Sequence, residues 1–164
     1  MACSSSTKSE ELIYTENGIG VLTFGGKIDE LPKKVDGMYD RIESIYDDFD
    51  GSTHNYFYLG EELKYDVTWD NEIVNITAFD TNVDFGGFRV GDPMSKILAL
   101  NPKYEITNYG VNVSINGCHL WLGELTKSGE EKSHRAYGLG EEIRYDEKDF
   151  TETATLKAVI VTKK

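Results

Sequence analysis

The sequence predicts an α+β fold: two tandem units, each a short helix packed on a roughly four-stranded antiparallel sheet. Three observations carry that expectation. Short segments recur along the chain, strand-like runs alternate with turn signals, and only two stretches show helical spacing. A chain of 164 residues buries roughly 70% of the surface its unfolded form exposes, so it needs neither metal nor disulfide to hold a core. Residues 1–11 read as a disordered tether, 12–83 as the first unit and 84–164 as the second, with an insertion over 126–153.

The repeats set these boundaries. Gly20-Val21-Leu22-Thr23-Phe24-Gly25 matches Gly86-Gly87-Phe88-Arg89-Val90-Gly91, and Ile28 and Leu31 fall on Met94 and Ile97 at the same offset. Tyr58-Leu59-Gly60-Glu61 matches Trp121-Leu122-Gly123-Glu124. A competing match runs from Leu59-Gly60-Glu61-Glu62 to Leu139-Gly140-Glu141-Glu142, and Val74 to Ala78 matches Leu156 to Ile160 in pattern. Each copy therefore opens with a short apolar strand, a glycine and a short helix.

The second helix carries the clearer signals. Asp92 can cap it, Pro93 suits its first position, and Met94, Ile97, Leu98 and Ala99 form its apolar stripe. Asn101 before Pro102 ends it. In the first copy Ile28, Leu31 and Val35 have helical spacing, but Pro32 shortens or kinks the turn. Strands are expected around Ile42 and Ile45, Tyr56 to Leu59, Leu63 to Trp69 and Ile73 to Phe79, with turns at Gly60-Glu61 and Asp70-Asn71. Asn116-Gly117 is the strongest hairpin signal. It sets Ile115 opposite Cys118 and Val113 opposite Leu120 on one face, with Ser114, His119 and Trp121 on the other.

These features resemble a known tandem fold. A strand, a glycine, an i, i+3, i+4 helix and a four-stranded sheet, twice over, is similar to beta-lactamase inhibitory protein. It is also similar to the small lipoprotein of the outer-membrane barrel-assembly machine, which has one such unit. Phe88-Arg89-Val90-Gly91-Asp92-Pro93-Met94-Ser95-Lys96-Ile97-Leu98 carries the resemblance, and Gly18 to Leu31 carries it more loosely. The resemblance implies an envelope protein that binds other proteins through a sheet face or loops, without catalysis. Pro32 and the segment 126–153 depart from the pattern.

The leader points to the same address. Ala2-Cys3-Ser4-Ser5-Ser6 looks like the mature end of a bacterial lipoprotein, with Cys3 the acylated residue, and Lys8-Ser9-Glu10-Glu11 resembles a short surface-export stretch. Two or more acyl chains make such an anchor stable. The expected localisation is thus the bacterial envelope, periplasmic or on the outer-membrane surface, with membrane contact only through the lipid.

Composition excludes several classes of function. Lys plus Arg is 17 against 29 Asp plus Glu, a net charge of −12. That opposes nucleic-acid binding, which depends on basic contacts to phosphate. No nucleophile elbow, Walker loop, dinucleotide fingerprint or metalloprotease motif occurs, so an enzyme is not expected. His54, His119 and His134 are scattered without metal-ligand spacing, and Cys118 and His119 would point to opposite strand faces. Asp80-Thr81-Asn82-Val83-Asp84 alternates oxygen ligands, but Phe85 and Gly91 stand where an EF-hand needs Gly and Glu. That segment, and Asp47, Asp48 and Asp50 before Gly51, read as solvated connectors, so no cofactor and no metal is expected.

The expected contact residues are Tyr56, Tyr58, Tyr65, Trp69 and Trp121, aromatics on an otherwise polar sheet face. They point to an unidentified protein partner. The alternative is a carbohydrate or small-ligand module, because aromatic platforms also stack sugars.

Overall fold

The computed structural model describes residues 11–69 and 71–164. Cys3 and the tether up to residue 10 lie outside the described residues. The chain opens with three short strands, β1 (Leu12–Thr15), β2 (Gly18–Ile19) and β3 (Leu22–Thr23). Gly20, at φ 55°, reverses the chain between β2 and β3, so the single strand expected over Gly20 to Gly25 is a tight hairpin. The expected first helix is also absent. A 3₁₀ turn covers only Ile28–Glu30, and Leu31 is already extended (φ −73°, ψ 147°). Pro32 is the cause, because its ring disfavours helical backbone in the residue before it.

Four long strands follow: β4 (Arg41–Asp47), β5 (Ser52–Leu59), β6 (Glu62–Trp69) and β7 (Ile73–Ala78), each antiparallel to the next. β8 (Val83–Asp84) pairs in parallel with β1, so the expected boundary at residue 84 cuts through a strand. The segment Gly86 to Gly91 forms no strand, which removes its proposed equivalence with Gly20 to Gly25.

Helix α1 (Met94–Ala99) buries Met94 and Ile97, as its spacing predicts. Asp92 does not cap it. The Asp92 carboxylate instead accepts from the Arg89 N–H at 2.8 Å and pairs with Lys96 at 2.8 Å. Then come β9 (Lys103–Thr107), β10 (Gly110–Ile115) and β11 (Cys118–Trp121). Asn116 and Gly117 both take positive φ, 53° and 80°, and the register pairs Ile115 with Cys118 and Ser114 with His119, as expected. The segment expected as an insertion folds into helix α2 (Lys127–Leu139) and a 3₁₀ turn at Glu147–Asp149, and the chain ends in β12 (Ala158–Thr162).

The result is an α+β protein, mostly sheet. Among the described residues, one sheet has the order β3-β2-β1-β8 and the other has eight strands in the order β4-β5-β6-β7-β12-β11-β10-β9. The halves thus share one sheet through the β7–β12 pair, where Val159 meets Ala78 and Val161 meets Ile76. A single apolar cluster joins Phe57, Tyr65, Val67 and Ile76 to Val113, Cys118, Leu120 and Val159, and to α1 through Ile97. Fully burying each such side chain contributes about 1.5–3 kcal/mol.

Candidate functional site: the outer face of the eight-stranded sheet

Side chains alternate across each strand, so burying one face of this sheet leaves the other to solvent. Asn55 and Phe57 of β5, Val67 of β6, Ile76 of β7 and Val159 of β12 face the core. On the outer face His54, Tyr56 and Tyr58 of β5 and Thr77 of β7 are all partly exposed, and Trp121 is 59% exposed. With strands about 4.8 Å apart, eight strands span roughly 34 Å, and β5 lies roughly 19 Å from β11.

Three of the five expected contact aromatics lie on this face: Tyr56, Tyr58 and Trp121. The other two are corrections. Tyr65 is fully buried and Trp69 projects to the core side, where its indole nitrogen is buried. A bulge explains both. The two-residue turn at Gly60-Glu61 pairs Leu59 with Glu62 and Tyr58 with Leu63, and a regular ladder would then put Tyr65 opposite Tyr56. The register shifts between Phe57 and Tyr58, so Tyr65 pairs with Phe57 and Asp66 with Tyr56. One extra residue moves every later side chain of β6 to the opposite face.

Inside, the Tyr65 hydroxyl donates to Asp80 Oδ2 at 2.7 Å, and Asp80 Oδ1 accepts from the Asn82 N–H at 3.1 Å and lies 3.7 Å from Lys64. Burial, and then the Asp80 carboxylate, pushes the Tyr65 hydroxyl far above its ordinary pKa. Asp80 is fully buried, so the expected solvated connector is a structural anchor instead. Asp84 is similarly engaged, accepting from the Gly86 and Gly87 N–H groups at 2.8 Å.

The outer-face aromatics form two groups. At one end Arg41 lies 4.3 Å from the Tyr58 ring centroid, and His54 stacks on Tyr56 at 6.0 Å. At the other, Trp121 meets Phe79 edge-on at 6.5 Å and, with Leu122, Gly123, Glu124 and Lys157, borders an apolar hollow of about 550 Å³. Phe79 follows Ala78 of β7 and was not singled out from the sequence. Its place beside Trp121 depends on the long-range β7–β12–β11 pairing, which carries no local signal. Phe49, 98% exposed, and the wholly exposed Tyr109 lie in the connections from β4 to β5 and from β9 to β10.

His54 also has partners that its sequence neighbours hide. Its Nδ1 lies 3.0 Å from Asp66 Oδ1 across the β5–β6 ladder, and its Nε2 lies 3.4 Å from Asp50 Oδ2. Burial lowers the imidazole's affinity for a proton, but the Asp66 and Asp50 contacts outweigh it and raise the pKa. The readable signal is spacing: the turn over residues 48–51 brings Asp47, Asp50 and His54 to one end of the β4–β5 hairpin. His119 shares the outer face with Asn112, its Nδ1 3.0 Å from Asn112 Oδ1. Cys118 is buried on the core side, on the opposite face from His119, and burial pushes its thiol up to about 11.

The fold recurs in a solved structure. The uncharacterized protein yfeY from Escherichia coli matches with a TM-score of 0.59 at 16% sequence identity, over 90% of this chain and 97% of that one. At that identity the likeness speaks for the fold alone. No protein-family model matches the sequence, and no curated protein matches it significantly.

Proposed function

We propose that this protein is a non-catalytic protein-binding module of the bacterial envelope, tethered by acyl chains on Cys3, and that it contacts its partner through the outer face of the eight-stranded sheet. The observation that carries the reading is the pairing of Trp121 with Phe79 on a broad, partly exposed face. A surface roughly 34 Å wide suits a protein better than a small molecule. Trp and Tyr are the residue types that anchor such contacts, and Trp121, Tyr58 and Tyr56 are available. The envelope address rests on the leader and on the resemblance carried by Phe88 to Leu98.

The strand order supports reading the sheet as two fused copies. Matching β4–β7 to β9–β12 makes the order β4-β5-β6-β7-β12-β11-β10-β9 read alike from either edge. On that reading the segment 126–153 is an addition between the last two strands of the second copy, and the inhibitor-like resemblance concerns this shared sheet. The sequence matches through Gly60-Glu61 do not follow it, because that turn corresponds to Asn116-Gly117 by strand order.

Binding of the purified chain to envelope proteins, compared with Trp121→Ala, tests the proposal. Retained binding by the variant, with its melting temperature unchanged, would count against this face. The hollow beside Trp121 is also large enough for a sugar ring. Saturable binding on a glycan array that Trp121→Ala abolishes would favour that second reading.

A further inference from the structure

We infer that Asp47, Asp50 and His54 form a binding site for a first-row divalent cation, with zinc the best match, at the β4–β5 end of the sheet. One ligand atom from each of the three lies within 4.8 Å of those of the other two. The separation of His54 Nε2 from Asp50 Oδ2, 3.4 Å, already matches tetrahedral ligation: two bonds of about 2.05 Å at the tetrahedral angle put their donor atoms about 3.3 Å apart.

A residue outside the trio supplies an independent reason. Asp66, on the neighbouring strand, holds both carboxylate oxygens 3.0 and 3.1 Å from His54 Nδ1. In the neutral imidazole with Nδ1–H donating to Asp66, Nε2 carries the lone pair on the side of Asp50 Oδ2, where a bound cation would replace the Nε2–H···Oδ2 hydrogen bond. This carboxylate–histidine arrangement orients imidazole ligands in metal sites. The carboxylates are also held in place. Asp50 Oδ1 accepts from the Ser52 N–H at 2.8 Å and hydroxyl at 2.6 Å, which leaves Oδ2 turned to His54 Nε2, and Asp47 Oδ1 accepts from the Phe49 N–H at 2.8 Å.

Charge agrees with this geometry. Among the described residues no Lys or Arg pairs with Asp47, Asp48, Asp50 or Asp66, and His54 is the one basic partner of Asp50 and Asp66. A dication would offset that negative charge. An imidazole with two carboxylates favours zinc or a neighbouring transition ion over calcium or magnesium, which take all-oxygen shells. Water would complete the coordination.

Isothermal titration of the metal-free full chain with zinc at neutral pH tests the site. One equivalent is expected to bind, with His54→Gln and Asp50→Asn abolishing it and Asp66→Asn weakening it about 10–100-fold. His119→Gln and His134→Gln should bind as the parent does. Cobalt should give intense visible bands typical of a tetrahedral site, absent in Asp50→Asn. Asp50 lies in an exposed turn, so that variant reports even if His54→Gln fails to fold. Zinc uptake unaffected by Asp50→Asn, calcium binding as tight as zinc, or no uptake at all would each overturn the inference.

Discussion

Replacing Tyr65 with Phe separates an internal anchor from a contact residue. The hydroxyl donates to Asp80 Oδ2 at 2.7 Å inside a fully buried pocket, while the Asn82 N–H donates to Oδ1 and the Lys64 ammonium lies 3.7 Å from Oδ1. Deleting it leaves a buried carboxylate oxygen without its donor, and the loss of a hydrogen bond to a charged group costs about 1.5–3 kcal/mol. With a urea m-value near 2 kcal/mol/M, the unfolding midpoint should fall by about 1 M. Urea titration followed by fluorescence measures this directly. Tyr58→Phe, on the partly exposed outer face, should cost less than about 0.5 kcal/mol. A double-mutant cycle with Asp80→Asn should return a coupling above about 0.5 kcal/mol. Equal midpoints for Tyr65→Phe and Tyr58→Phe, or no coupling to Asp80, would refute the assignment of Tyr65 to the interior.

Two further predictions concern the added segment. Gly129→Ala places a methyl carbon 2.3 Å from the Asp149 carbonyl oxygen, so α2 must move and stability should drop by about 1–3 kcal/mol. Gly138→Ala, on the same helix with nothing within 4 Å, should instead stabilise by about 0.5–1 kcal/mol, and equal effects in thermal melts would contradict the packing. Asp149, fully buried, is an acid-sensitive group of this segment. Burial raises its pKa, but the Asp146 N–H and the Lys132 ammonium, which donates to Oδ2, outweigh that and hold it below the usual carboxylate range. A carboxyl depressed in the folded state contributes stability that is complete above its unfolded pKa of about 3.9 and is lost as pH falls through the folded value. Lys132→Met should therefore move the acid-unfolding midpoint to higher pH, and an unchanged midpoint by circular dichroism would remove Lys132 from that role.

How far the sequence discloses the molecule follows from the range of each signal. The Asn116-Gly117 hairpin, α1 and the strands β4 to β7 were legible, because turn chemistry and side-chain period act over a few residues. The bulge after Phe57 was not, since no Gly or Pro marks it, and it alone reassigns Tyr65 and Trp69. The parallel β1–β8 pair and the β7–β12 seam join residues 71 to 87 positions apart and leave no local pattern. Helix α2 escaped because it buries only Gly129 and Ala136, so no apolar stripe betrays it. Of the candidate site, Trp121, Tyr56 and Tyr58 could be placed from alternation. Phe79 and the His54–Asp66 contact required the assembled sheet.

The contact role of the outer face is tested most directly by photo-crosslinking from within it. A photoreactive amino acid at Thr77, near the centre of the face, or at Trp121 should yield an adduct with the same envelope protein, while one at the exposed Lys34, in the connection before β4, should yield none. Adduct formation from Lys34 with none from Thr77 and Trp121 would contradict the account.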